Sequence, residues 1–260
     1  MRKKNVLAIS LFVFVFTFLP ISVVNAIQPP LPPEFTVYVS DSRYSLETAL
    51  ILEQLATDAA KCGIRLNFEI KSFLDCVMAM YNNEYDMVMF ITLATMLPDS
   101  IDSILYLIDF YFGEFNLWNY HNDLLTIKIQ EMKDYYYNGF EIEAIEVFHE
   151  IEAIIFEDQP SIAVGIHVDD IIIHTHQLII NNDLNRPGYN IAIRKALSFL
   201  IDREFFVSQM QTLYTYSLYQ TSHLFGWSQY HDDTLPEFEH SIGKAASTLA
   251  KAGFRPRAIH

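Results

Sequence analysis

The sequence predicts an α/β domain with a mostly parallel β-sheet flanked by helices, on the basis of two repeating patterns. Apolar residues alternate with polar ones over residues 35–39 and 64–70, as in strands with one exposed face. Between these strands, Leu52, Leu55 and Ala59 recur at helical spacing, and Gly63 ends the helix. Strands that alternate with helices form crossover units, in which neighbouring strands run parallel.

The rest of the chain continues this alternation. Helices are predicted, in chain order, over residues 72–82, 101–110, 123–137, 144–155, 193–201 and 242–250. Further strands are predicted over residues 87–91, 162–168 and 171–180. Ser241 is the expected N-cap of the last helix and Gly253 its stop, whereas residues 112–122 form an aromatic loop in the middle of the chain.

Residues 1–26 have the pattern of a secretory signal peptide. Three basic residues at positions 2–4 precede an apolar run over residues 6–24, and small residues lead up to a cleavage site after Ala26. A retained membrane anchor is the alternative, because the run is nearly long enough to span a bilayer. Residues 27–34 form a proline-rich leader, and we expect a secreted or extracytoplasmic protein, tethered if the segment is not cleaved.

The composition excludes one class of partner. The whole chain has a net charge of −15. Removal of residues 1–26, which hold three basic and no acidic residues, leaves 14 basic and 32 acidic residues and a charge of −18. So negative a chain is not expected to bind nucleic acid.

The two cysteines, Cys62 and Cys76, allow two interpretations. An exported protein could pair them in a disulfide. However, the predicted elements put them on successive crossover helices, which lie on opposite faces of the sheet if the strand order reverses there. Because a disulfide needs close Cα atoms, we favour two buried or half-buried thiols.

Several sequence motifs resemble those of one receptor family. Residues 182–187 are Asn-Asp-Leu-Asn-Arg-Pro, and residues 194–204 are Arg-Lys-Ala-Leu-Ser-Phe-Leu-Ile-Asp-Arg-Glu. Both are similar to a paired motif of solute-binding protein family 5, the extracellular receptors of peptide and nickel ABC transporters. Residues 244–254 resemble that family's Ala-Gly-Phe helix, and weaker similarities lie at residues 62–69, 85–87 and 154–162.

These motifs occur in an unusual order. Residues 35–168 match a late segment of the family, whereas residues 179–254 match an earlier one, and residues 255–260 form a tail. One explanation is a circular permutation of one lobe, which proteins tolerate because domain termini usually lie close together. The alternative is a rearranged gene that joins parts of two receptors.

The resemblance implies a lobe of the periplasmic-binding-protein (type II) fold. It also implies a peptide or other small solute as ligand, and an ABC transporter permease or a partner lobe as protein partner. No enzyme activity and no cofactor are expected. A receptor remnant that has lost ligand binding is the main alternative, and a secreted hydrolase is a remote one.

Candidate ligand-binding residues follow the predicted strands, where open sheets bind ligands. They are Thr92, Thr95, Trp118, Asn119, Tyr120 and His121. Peptide-binding members of the family carry a tryptophan and an aspartate just after the strand that begins Tyr-Asp. Residues 90–98 contain neither, so the resemblance assigns no residue to the amino terminus of a peptide.

Catalytic and metal sites have little support in the sequence. His174 and His176 share one face of a strand and could chelate zinc or nickel, but no third ligand is evident. His149 and Glu150 begin like a zinc-protease helix that lacks its second histidine. The polar loop at residues 231–233 is a further weak metal candidate. We therefore predict neither a catalytic residue nor a metal ligand.

Overall fold

The computed structural model describes residues 32–41, 46–94, 100–113, 116, 118–169, 172–211, 216–219 and 230–255. The strands are β1 Glu34–Ser40, β2 Arg65–Lys71, β3 Met87–Ala94, β4 Ser161–Asp169, β5 Ile172–Ile180 and β6 Tyr216–Tyr219. The helices are α1 Leu46–Lys61, α2 Phe73–Tyr81, α3 Ile101–Phe112, α4 Asp123–Tyr137, α5 Glu141–Asp158, α6 Ile191–Leu200, α7 Arg203–Met210 and α8 Ile242–Lys251. This is the predicted α/β class.

The strands form one mixed sheet in the order β2-β1-β3-β5-β4-β6. β1 runs parallel to β2 and β3, whereas β3 with β5, β5 with β4 and β4 with β6 are antiparallel pairs. The expectation of a mostly parallel sheet is therefore wrong. Only two residues separate β4 from β5, and a parallel pair needs a crossover of a dozen residues or more.

The order of the first three strands puts helices on both faces of the sheet. The chain passes from β1 to β2 on one side and returns to β3 on the other side of β1. With right-handed crossovers, α1 and α2 then cover opposite faces. The first face packs against α1, α6, α7 and α8. The second face packs against α2, α3, α4 and α5.

The two cysteines lie in different layers of this structure. Cys62 belongs to the apolar cluster on the first face, and Cys76 belongs to the cluster on the second. Both are buried, free thiols. The prediction of two buried thiols is confirmed, and the disulfide alternative is wrong because the sheet separates the two sulfur atoms.

Local sequence signals set the helix ends. Ser241 accepts a hydrogen bond from the Lys244 backbone N–H and caps α8, and Gly253 follows the helix with a φ of 87°, as predicted. Helix α7 was not predicted. It begins where Asp202 accepts a hydrogen bond from the Phe205 backbone N–H, a cap that the sequence alone could have indicated.

The N-terminal prediction is not addressed by these elements. Residues 1–31, which include the predicted signal peptide and most of the leader, lie outside the described residues. Across the described ranges, no helix combines the length and apolar character needed to span a membrane.

Candidate functional site

The structure places the described members of the predicted ligand site at opposite ends of the β3–β5 strand pair. Thr92 pairs with Thr175 in the β3–β5 ladder, toward the carboxyl end of β3. The Trp118 carbonyl instead accepts a hydrogen bond from the Asn182 backbone N–H, at 3.0 Å, just beyond the far end of β5. That end of β5 lies about 17 Å from Thr175. Thr95 and the side chain of Thr92 lie outside the described residues.

Trp118 is a core residue in this structure. Its side chain is fully buried, stacks on Tyr111 with ring centroids 4.6 Å apart, and meets Phe112 edge-on at 5.1 Å. The indole Nε1 has no hydrogen-bond partner among the described residues. Since a ring enclosed by its own chain cannot stack on a solute, the expected ligand contact of Trp118 is corrected to a packing role.

The neighbours of Trp118 make hydrogen bonds within the loop and to α5. Asn119 has a left-handed φ of 53°, and its N–H donates to the Asn116 carbonyl at 2.9 Å. The buried Tyr120 hydroxyl donates to the Asp158 carboxylate. Burial, together with the bond to Asp158 and its negative charge, raises the pKa of Tyr120. Of these residues, His121 is the one that is exposed to solvent.

Arg194, from the motif that resembles the receptor family, joins three backbone segments. Its buried guanidinium donates to the carbonyl of Asp158 at 2.7 Å, of Gly188 at 2.8 Å and of Tyr189 at 2.6 Å. These bonds fasten α6 to the end of α5 and to the short 3-10 turn Pro187–Tyr189. The arginine is thus a structural clamp.

Ser198 makes a second link between the same helices. Its buried Oγ donates to Oε1 of Gln159, which ends α5 in the left-handed conformation with a φ of 48°. The Gln159 Nε2 donates back to the Phe156 carbonyl at 2.7 Å. The Asp-Gln-Pro segment and the Arg-Lys-Ala-Leu-Ser segment therefore contact each other directly.

Arg203, the last arginine of that motif, is almost completely buried. It donates to the carbonyls of Ser198 at 3.2 Å, Phe238 at 3.0 Å and Ala163 at 3.0 Å. Burial lowers the pKa of Arg203 to about 10. Three backbone oxygens, from β4, the end of α6 and the segment before α8, hold this cation in the core.

The Asn-Asp-Leu-Asn-Arg-Pro motif forms a comparable junction after β5. Nδ2 of Asn182 lies 2.8–3.1 Å from the carbonyls of Ile180, Pro160 and Trp118. Arg186 donates from Nη2 to the Asn83 carbonyl at 2.8 Å. The arginines, Ser198 and Asn182 of these motifs therefore use their polar groups to stabilise the fold.

An open groove lies along α4 and the turn that follows it. Its volume is about 620 Å³. Its lining combines two carboxylates, two amides, an aliphatic side chain and two aromatic rings: Glu131, Asp134, Gln130, Asn138, Ile127, Tyr135 and Phe140. No sequence signal marks these residues as a site, because α4 carries no family motif and its helical periodicity indicates only a helix.

The turn from α4 to α5 fixes the shape of this groove. Asn138 Nδ2 donates to the Asp134 carbonyl at 2.7 Å, and the Phe140 N–H donates to the Tyr135 carbonyl at 2.9 Å. Gly139 adopts a φ of 83°, which a side chain would strain. The two rings, Tyr135 and Phe140, consequently meet edge-on with centroids 6.4 Å apart.

The groove has an excess of negative charge. Lys128 pairs with Glu131 at 2.8 Å and with Glu150 at 2.6 Å, so one cation serves two carboxylates. Those hydrogen bonds raise the pKa of Lys128. Asp134 is exposed and accepts a hydrogen bond from Gln130 at 2.8 Å, and no ion pair joins it to a basic side chain within the described ranges. Such a surface favours a cationic solute.

His149, the histidine of the protease-like sequence, binds the segment that precedes α8. His149 Nε2 lies 2.9 Å from the Tyr230 carbonyl, to which it donates. One turn further along α5, the buried Glu152 accepts from His231 Nδ1 at 2.7 Å and from the Asp232 N–H at 2.9 Å. These contacts fasten the segment before α8 to the helix.

The paired histidines lie in β5, and the side chain of one of them is described. His176 is buried and meets Phe206 of α7 edge-on, with centroids 4.9 Å apart. The side chain of His174 lies outside the described residues. No group of three metal-ligating side chains is found within the ranges that the structure describes.

Comparison of the chain with family models, with curated proteins and with solved structures finds no match. The motif similarities and the groove are thus the basis for a functional proposal.

Proposed function

We propose that this protein is an extracytoplasmic solute-binding protein of the peptide-type ABC transporter class, and that it binds a small cationic solute such as a short peptide. The groove on α4 is the observation that carries the proposal. Its volume of about 620 Å³ is in the range of ligand pockets, and it combines apolar rings with a few polar groups.

The chemistry of the groove favours an amine beside an apolar group. Glu131 and Asp134 can accept hydrogen bonds from an ammonium group, and a charge-assisted bond is stronger than a neutral one. Tyr135 and Phe140 offer ring faces to an apolar side chain or to the cation itself. A basic or amino-terminal residue of a peptide has both properties.

The family part of the proposal is supported by how the motifs pack. The segments around Gln159 and Ser198 lie far apart in the chain but meet in the folded domain, as expected if both belong to one receptor lobe. Their polar residues are used to hold α5, α6 and β4 together. Such a role is consistent with a signature that specifies a fold and leaves the ligand to other surfaces.

The open shape of the groove favours a two-part site. Ile127 and Phe140 on its wall are 61% and 53% exposed, so a bound solute would keep much of its surface in water. Closed ligand pockets bury most of the ligand. We therefore propose that a partner lobe or a transporter permease completes the site, and that the isolated chain binds weakly.

Thermal unfolding of the purified full chain tests the proposal. We would compare a pool of short lysine- and arginine-containing peptides with a pool of aspartate- and glutamate-containing ones. Only binding to the native state raises stability, by about 2.7 kcal/mol at a hundredfold excess over the Kd. A rise in Tm with the cationic pool, which high salt weakens, is the expected result.

A matched pair of variants assigns the effect to the groove. The double change Glu131→Gln and Asp134→Asn is expected to abolish the rise in Tm. Glu146→Gln, an exposed carboxylate on the neighbouring helix but outside the groove, is expected to leave it unchanged. A cooperative melt that no peptide shifts would instead favour the alternative of a receptor lobe that has lost ligand binding.

A further inference from the structure

Helix α2 has an apolar face that is exposed to solvent. Phe73, Leu74, Met78 and Tyr81 are 45–71% exposed, and with the half-buried Val77 they occupy one continuous arc of the helix. Next to this arc, Cys76 and Met80 are buried against the sheet. The apolar surface of the helix therefore extends well beyond the part that packs on the sheet, as is typical of a helix that a second surface also covers.

Strand β2, which precedes α2, lies at the edge of the sheet. It pairs with β1 on one side, and no described strand pairs with its other side. Alternate residues of such an edge direct their backbone N–H and C=O groups outward, where another strand can bind them. Only Ser72 separates the end of β2 from the start of α2, so the outer edge of the strand and the apolar helix face belong to neighbouring elements.

Two exposed charges of β2, which pair with Glu34 and Lys71 of their own chain, lie symmetrically about Asn67. Arg65 lies two residues before Asn67, and Glu69 lies two residues after it. All three belong to one face of the strand, because alternate residues point the same way. That face is the second face, since Glu69 is in register with Tyr38, which packs against the cluster beneath α2.

A second copy of β2 fits this pattern. If two such strands pair antiparallel with Asn67 facing its own copy, Arg65 of each strand lies opposite Glu69 of the other. Opposite charges directly across an antiparallel pair are stabilising, and like charges are destabilising. A rotation of this kind keeps both copies of α2 on the same side of the joined sheet, next to each other.

The local charge also permits contact between two acidic chains. Residues 61–81 hold three basic and two acidic side chains, although the whole chain has a charge of −15. By comparison, the first ten residues of α5 hold four acidic side chains and no lysine or arginine, so that two copies would repel each other there. The β2–α2 surface is thus suited to self-association.

We propose that the protein forms a symmetric dimer in which the β2 edges pair antiparallel about Asn67 and the apolar faces of the two α2 helices pack together. The four exposed α2 side chains present on the order of 500 Å² of apolar surface. A stable interface buries roughly 800 Å² on each partner. The helix face supplies more than half of that area, and the paired strands supply the rest.

Disulfide cross-linking tests the register. Asn67→Cys puts a thiol on the two-fold axis, where Cα atoms of directly paired residues are about 5 Å apart and can form a disulfide. The matched control is Ile70→Cys, which is uncharged, 54% exposed and on the same strand, but about 20 Å along it from the position facing its own copy. The native cysteines are buried and give little background.

Cross-linking of the full-length Asn67→Cys chain at least about tenfold faster than that of Ile70→Cys is the expected result. Sedimentation equilibrium of the unmodified chain should give twice the monomer mass of 30.1 kDa. Equal cross-linking of both variants, or a monomer at every concentration, would overturn the proposal. A chain that stays monomeric and binds membranes or another protein through the apolar face of α2 would also overturn the proposal.

Charge reversal provides an independent measurement. Arg65→Glu alone puts like charges opposite each other twice in the dimer, so the Kd for dimerisation should rise at least about tenfold. The double change Arg65→Glu with Glu69→Arg restores opposite charges and should restore the affinity. If the double variant is as weak as the single one, the proposed register is wrong, and unfolding curves of both show whether the monomers are intact.

Discussion

The hydroxyl of Ser198 donates a hydrogen bond to the side-chain oxygen of Gln159, across the junction between α6 and the end of α5. Both side chains are buried, and 39 positions of the chain separate them. Together with Arg194, which binds the carbonyl of Asp158, this contact makes the motif residues a joint between two helices.

Loss of that hydrogen bond should destabilise the fold. Ser198→Ala removes a donor from a site that water does not reach, so we expect a loss of about 1–3 kcal/mol in the free energy of unfolding. Urea denaturation measures it. The control is Ser208→Ala, whose hydroxyl bonds the Phe205 carbonyl at an exposed position. Equal losses in both variants would show that the Ser198 contact contributes nothing particular.

Arg203→Lys should be poorly tolerated, although it preserves the charge. One ammonium group cannot reproduce the planar arrangement that reaches the carbonyls of Ser198, Phe238 and Ala163. We expect a loss of about 3–5 kcal/mol, because a charge without its full set of partners is left in the core. Arg186→Lys, at a half-exposed site, should cost much less. Similar midpoints for the two variants in urea would contradict this expectation.

Stability should depend on the pH through His231. Burial lowers the pKa of His231, but the hydrogen bond to Glu152 and the charges of Glu152, Asp233 and Asp232 outweigh it, so the pKa is raised above 6.5. The folded state therefore binds the proton more tightly than the unfolded state. The contribution of His231 to the free energy of unfolding is complete below pH 6.5, and it is lost as the pH rises through the pKa of His231 in the folded state.

Urea denaturation over a pH series checks this dependence. His231→Gln should remove the decline in stability above pH 6.5, and Glu152→Gln should reduce it as well, because that change removes the negatively charged acceptor. If the unmodified chain and His231→Gln lose stability with the same slope, the pair does not control the titration.

Leu197 should be a major contributor to the first-face core. It is completely buried within the cluster formed by α1, α6, α7 and α8. Leu197→Ala leaves a cavity and should cost about 2–5 kcal/mol. Leu184→Ala removes the same atoms from a side chain that is 71% exposed, and it should change stability by less than about 0.5 kcal/mol. A loss below that value for Leu197 would mean that α6 does not pack on the sheet.

Periodicity predicted most of the elements because their signals are local. The helix spacing around Leu52 and the alternation around Phe68 each lie within a few residues, and the structure has a helix and a strand there. The direction of β4 and β5 was also within reach of the sequence. Two residues between strands exclude a parallel pair, but the βαβ pattern of the first strands was extended to the whole sheet.

The position of the aromatic loop could not be predicted in the same way. Trp118 is held near the end of β5 by a hydrogen bond from Asn182, which lies 64 residues away in sequence. Such a long-range contact leaves no periodic pattern in the sequence. A tryptophan in a loop is compatible with a ligand site and with a core position alike. The groove on α4 has no signal in the sequence for a related reason. Its two aromatic rings come together only because the chain turns at Gly139.

The separation of Cys62 and Cys76 by the sheet makes the order of folding and oxidation important. In the unfolded chain the two thiols are 14 positions apart and meet readily, whereas the native sheet lies between them. Burial raises the pKa of both thiols and keeps them in the unreactive form once the chain is folded. A disulfide formed too early would tie together two layers that belong on opposite sides, and the sheet could not assemble between them. If the chain is exported to an oxidising compartment, as we propose, it must fold before the two thiols are oxidised, because the disulfide would prevent the native sheet from forming.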